Sequence, residues 1–146
     1  MDIKNLNEVA PFTTKDGSEI RELLAHRNSA IRNQSLAEAR LPVGGATQEH
    51  FHPKCEEIYY LTHGTGKIRI ENETRDVRAG DAIAIPPGHK HKLWNTGMKP
   101  CACSVAARLP TNTATRSSRK FDRRAGVLTR RASVRHCNLG FFRTRA

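Results

Sequence analysis

From residue 18 to residue 94 the chain sets apolar against polar positions in short runs, each closed by turn-forming residues. Alternation with a period of two predicts β-strands rather than helices. Ser18–Arg27 reads as a strand, because little follows that would extend a helix. Gln34–Leu41 reads as another, with Ala37, Ala39 and Leu41 on one face. After a turn at Pro42–Gly45, Thr47–His52 reads as a strand that stops at Pro53, which cannot donate to a ladder. Glu57–Thr62, Lys67–Ile70, Asp76–Arg78, Ala82–Ile85 and Lys90–Trp94 follow. The turns between them are Gly64-Thr65-Gly66, Glu71–Thr74, Ala79-Gly80-Asp81 and Pro86-Pro87-Gly88. Turns at such close intervals predict an all-β sandwich or barrel. A polar lead precedes these runs, and no repeat of fixed period appears.

Charge divides the chain. Residues 1–100 carry 14 Lys+Arg against 13 Asp+Glu, a net of +1. Residues 101–146 carry 11 against one acid, Asp122, a net of +10. The overall +11 therefore marks no basic face on the domain itself. With only Phe121, Phe141 and Phe142 among the Arg clusters, the last third is a poor single-strand nucleic-acid binder. We expect a domain over residues 15–112 and a disordered basic tail over 113–146.

The change of character after Lys99-Pro100 also suggests a slipped reading frame, since no alternating apolar pattern is read beyond it and the sheet needs a closing strand. Moved back one base, the TG- codons of Cys101 and Cys103 each become Leu, Met or Val. One allowed choice of wobble bases converts residues 101–118 into LRLLCCCAPAYQHGDTEL, an apolar run that ends with acidic residues. A natural basic extension is the other reading.

No apolar run approaches the ~18 residues of a membrane span, and MDIKNLNEVAPF lacks a basic region followed by an apolar stretch. Cys55, Cys101, Cys103 and Cys137 form no CxxC pair. They are expected to be small half-buried residues or free thiols in a reducing cytoplasm.

Candidate chemistry lies in two clusters. The first is Gly44, five residues, His50, one residue, His52, four residues, Glu57, six residues, Gly64. The second is Gly80, five residues, Pro86-Pro87-Gly88, two residues, His91, three residues, Asn95. His50 and His52, two apart on a strand, face one way. Glu57 has the wrong parity for one straight strand, so the Pro53-Lys54-Cys55 turn must reverse the chain, after which Glu57, Tyr59 and Leu61 point inward. His91, Leu93 and Asn95 share a face. Three imidazoles and a carboxylate suit Mn, Fe, Co, Ni, Cu or Zn rather than Ca or Mg. Glu56 is expected in solvent, His89 at a rim, His63 in an exposed turn, Trp94 in packing and Lys92 in solvent. Tyr59 is either core or a proton or hydrogen-bond donor.

These clusters resemble the two motifs of the cupin superfamily, G(x)5HxH(x)3–4E(x)6G and G(x)5PxG(x)2H(x)3N. Both match in full, from Gly44 to Gly64 and from Gly80 to Asn95, and the 15 residues between them resemble the spacing of small bacterial single-domain cupins of the mannose-6-phosphate isomerase-like and germin-like kind. The resemblance covers about residues 18–100. It implies a jelly-roll barrel, often dimeric, with His50, His52, Glu57 and His91 as ligands of one divalent transition metal (Mn, Fe, Ni, Co or Zn). Glycines and Pro86 would shape the corners, and Asn95 would support the fold. It further implies a small metalloenzyme of isomerase, decarboxylase or dioxygenase type, acting on a small polar metabolite, with Tyr59 as the candidate catalytic residue. The alternative is a non-catalytic module holding a small ligand on the metal.

Overall fold

The computed structural model describes residues 1–14 and 17–108. A 3-10 turn at Leu6–Glu8 leads into nine strands: β1 Phe12–Thr13, β2 Glu19–Leu24, β3 Gln34–Leu41, β4 Glu56–His63, β5 Thr65–Ile70, β6 Glu73–Arg78, β7 Ala82–Ile85, β8 His91–Asn95 and β9 Cys101–Arg108. They form a six-stranded sheet, β1-β2-β3-β9-β4-β7, and a three-stranded sheet, β6-β5-β8. All strand pairs are antiparallel. No helix among the described residues is long and apolar enough to cross a membrane.

The core lies between the sheets because every second side chain turns inward. On β3 the inward set is Ala37, Ala39 and Leu41, and on β4 it is Tyr59 and Leu61. Ile68, Ile85 and Leu93 complete it from β5, β7 and β8. Within the three-stranded sheet, β5 and β8 pair closely because glycine stands where a side chain would collide. A Cβ on Gly66 would sit 2.6 Å from the Trp94 carbonyl oxygen. On β6 and β7 the facing edges are unpaired, and between them lies a cleft of about 420 Å³ with both apolar (Ile68, Ile70, Val77, Ile83) and charged (Glu73, Arg75, Asp76, Asp81) residues in its lining.

Four sequence expectations need correction. The alternating pattern does not stop at Pro100. β9 inserts between β3 and β4, with Cys101, Cys103, Val105 and Ala107 buried in the core. Small Cys and Ala side chains give little local strand signal, and the position is decided by the two strands that flank them. The barrel therefore has this strand in the frame as written. Second, Thr47–His52 is not a regular strand but two isolated bridges to β8, Ala46↔Trp94 and His50↔His91. Third, part of the polar lead pairs with β2 as β1. Fourth, Trp94 lies on the outer face, with Arg69 and Lys92 5.5 and 5.0 Å from its ring. The expectations for residues 113–146 and Cys137 fall outside the described residues.

Candidate metal centre

The site forms at one end of the barrel, where β4 and β8 begin. Glu57 is the second residue of β4, and His91 the first of β8. The segment carrying His50 meets β8 with one extra residue between its two bridges. Continued without that bulge, the Ala46↔Trp94 register would set Glu49 opposite His91. With it, His50 stands there instead, and directly opposed residues share a face. Two backbone hydrogen bonds lock the pair, His50 N to the His91 oxygen (3.2 Å) and His91 N to the His50 oxygen (2.9 Å). Gly88 N donates to the His52 oxygen at 2.9 Å, so the Pro86-Pro87-Gly88 turn anchors the chain that carries the third imidazole.

The four side chains converge, with one ligand atom from each lying within 4.8 Å of the others. The His50 ring centroid is 5.1 Å from that of His52 and 4.2 Å from that of His91. Nδ1 of His50 donates to the Gln48 carbonyl (2.8 Å), and Nδ1 of His91 to the His89 carbonyl (3.1 Å). Each bond fixes a tautomer whose Nε2 offers a lone pair, as metal-binding histidines require.

Nε2 of His52, Nε2 of His91 and both carboxylate oxygens of Glu57 are buried without a hydrogen-bond partner. Oε2 of Glu57 lies 3.5 Å from His52 Nε2 and 3.1 Å from His91 Nε2, but without hydrogen-bond alignment. The groups point at a shared centre rather than at one another. Buried polar atoms left in this way are costly, and a cation among them would satisfy all of them.

Burial pushes the Glu57 carboxyl up, but in the metal-free site the facing His52 and His91 imidazoles, when they carry the proton on Nε2, outweigh it and hold it at about 2. Glu57 is therefore anionic at neutral pH. Burial, as the largest cause, lowers the His50 pKa, which favours the neutral imidazole that a metal needs. Burial also raises the Cys101 thiol, and it raises that of Cys103 to about 12 with help from Cys101, Glu57 and Glu38. Both stay protonated, so neither is a ready ligand or nucleophile.

The predicted neighbours fall largely as expected. Glu56, His63 and His89 are exposed. Tyr59 is buried, its ring edge-on to His91 with centroids 5.7 Å apart. Asn95 supports the fold. Its Nδ2 donates to the carbonyls of Leu41, Pro42 and Lys99 at 3.2, 3.0 and 2.9 Å, and its Oδ1 accepts from Gly97 N at 2.9 Å. Sequence reasoning missed the bulge at residues 46–50 and the inward hydroxyl of Ser35. A strand pattern flags apolar residues and passes over a lone serine.

The cupin-domain family profile matches residues 37–106, which span both motifs and β9 through Ala106. An uncharacterized protein of Methanocaldococcus jannaschii is 47% identical over 94 residues, covering 64% of this chain and 75% of that one. The chain belongs to the cupin family. Among solved structures, a predicted oxalate decarboxylase from Thermotoga maritima matches with a TM-score of 0.67 at 24% identity, over 74% of this chain and 99% of that one. A polyketide cyclase from Streptomyces resistomycificus matches with a TM-score of 0.64 at 24% identity, over 74% and 79%. Curated Streptomyces relatives at 28, 27 and 26% identity are spanned over 63, 61 and 63% of their length.

Proposed function

We propose that this cupin is a small metalloenzyme that binds one divalent first-row ion through His50, His52, Glu57 and His91 and acts on a small polar metabolite. The observation that carries the reading is the set of buried, unpartnered ligand atoms on His52, Glu57 and His91. A bound divalent ion supplies Lewis acidity toward a carbonyl or carboxylate oxygen. Glu57 contributes the single negative charge, which leaves the ion cationic toward an anionic ligand. Tyr59, packed on His91, is the candidate to hold or donate a proton beside the bound ligand. Ile85, Ala107, Ile83 and Ile70, which pair directly with Glu57, Tyr59 and His91, are apolar. Similarity to a polyketide cyclase and a predicted oxalate decarboxylase supports substrates with metal-binding oxygens.

The test begins with metal analysis of protein purified without a histidine tag. About one ion per chain is expected. His52→Ala or His91→Ala should lose most of it, while Glu56→Ala keeps it. Equal loss in Glu56→Ala and Glu57→Ala would defeat the assignment. Metal-loaded protein should then convert a keto acid, sugar phosphate or small aromatic, and His50→Ala should abolish that turnover. A ligand that binds tightly and is recovered unchanged, with no candidate converted, would make the protein a binding module.

A homodimer goes with this reading. The outer face of β3, β9 and β4 sets Leu36, Ala106 and Ile58 in one row, with Tyr60 nearby, and Leu36, Ile58 and Tyr60 are exposed. Size-exclusion with light scattering should give twice the chain mass, and Ile58→Glu should return it to one.

A further inference from the structure

We infer that Ser35 is a specificity-determining contact for the far end of the ligand bound at the metal centre. The inference rests on the metal reading above. Register places Ser35 opposite Ala107 and Ala107 opposite Glu57, so Ser35, Ala107 and Glu57 form one row across β3, β9 and β4. Directly opposed residues share a face, and Ala107 and Glu57 are buried inward, so Ser35 also faces the interior. Ser35 is 8% exposed, and its hydroxyl is buried with no hydrogen-bond partner.

A hydroxyl stranded in an apolar interior costs free energy that alanine, present at the next inward positions Ala37 and Ala39, would avoid. Its placement makes sense if something else completes it. Two strand spacings separate it from Glu57, about 10 Å. The residue between them in the row is only an alanine, so no bulky side chain of these three strands separates the metal end from Ser35.

The chemistry of the two ends defines the ligand. At one end are three imidazoles and a carboxylate that could hold a cation, suited to a 2-oxo acid or another paired-oxygen group. At the other end, among the described residues of this row, is a single neutral hydroxyl. The described cations nearest this end are already paired: Arg108 lies in the outward row with Gln34 and Glu56 and pairs with Glu56 at 3.8 Å, Arg40 pairs with Glu38 at 2.9 Å, and Arg27 donates to Glu22 at 2.7 Å. The far end of the ligand is therefore uncharged, a hydroxyl or carbonyl oxygen on a short carbon chain or ring. A phosphate or second carboxylate there would be buried without a counter-charge.

The test uses two probes that differ only at that end, 2-oxopentanoate and 5-hydroxy-2-oxopentanoate, titrated calorimetrically into metal-loaded full-length protein. The wild type should bind the hydroxylated acid about five- to tenfold more tightly, the span of one net hydrogen bond. Ser35→Ala should erase that preference, leave affinity for 2-oxopentanoate unchanged, and melt no lower than wild type. If Ser35→Ala does not fold, Ser35→Cys, with its weaker donor, should show the same loss. Equal binding of both probes to the wild type would overturn the inference, as would a preference that survives in the variants. Failure of either acid to bind to protein that holds its metal would also overturn it while leaving the metal reading standing. Absence of metal would overturn both.

Discussion

Glu57 sets the pH behaviour of the metal-free site. Its folded pKa of about 2 lies below the ordinary carboxylate value of roughly 4.3. A carboxyl depressed in this way stabilises the fold above its unfolded pKa, and that contribution is lost as pH falls through the folded value. Melting of metal-free protein should therefore drop between about pH 4.5 and 2, and Glu57→Gln should flatten the drop. With metal present the relevant competitor is the proton. Metal content measured after dialysis should fall as pH drops below about 6, because imidazole ligands must be neutral to bind. Asn95 tests a different role. Asn95→Ala strips a partner from three carbonyls and one amide, and denaturant unfolding should register a loss of about 1–3 kcal/mol. At saturating metal the bound stoichiometry should stay the same. That Glu57 joins the histidine cluster and that Asn95 braces the fold were both expectations of the motif resemblance, and the structure places the two residues accordingly. The partners of Asn95 were not among those expectations, since two of them lie more than fifty positions away.

Among the elements, the strands that could be read in sequence are those framed by turn residues, as β3 is by Pro42–Gly45 and β7 by Ala79-Gly80-Asp81 and Pro86-Pro87-Gly88. β3 runs Gln34–Leu41 and β7 runs Ala82–Ile85, the bounds expected for each. β9 was illegible because its inward set includes two cysteines and an alanine, which read as strand only once β3 and β4 lie on either side. The bulge before His50 was hidden for a related reason, being a mismatch between two segments forty residues apart. Every residue of β9 pairs with β3, and most pair with β4 as well. A chain stopped at residue 112 should keep its circular dichroism and metal content, which tests the proposed domain bounds. A chain stopped at residue 100 should fail to fold. Ala106→Pro removes an amide from a strand interior and should be nearly as damaging.

For the molecule as a whole, charge and fold part company. A chain ending at residue 112 carries 15 Lys+Arg against 13 acids, a net of +2 in place of +11. It should elute far earlier from a cation exchanger, and any nucleic-acid retention by the full chain should vanish with the removed residues and with added salt. Sequencing the gene decides the origin of that charge. A shifted frame that meets an early stop, or codes for no apolar strand, would end the slip idea. The central place of β9 has another consequence, for synthesis. It is the last strand of the described chain, yet it joins β3 to β4. While the ribosome is still making residues 101–108, β3 and β4 are both complete and each lacks this neighbour. Pairing that spans such sequence distances forms slowly, and unpaired edges invite association between chains. The nascent protein is therefore most exposed to aggregation just before its sheet closes, and its yield in cells should depend on how quickly those eight residues arrive.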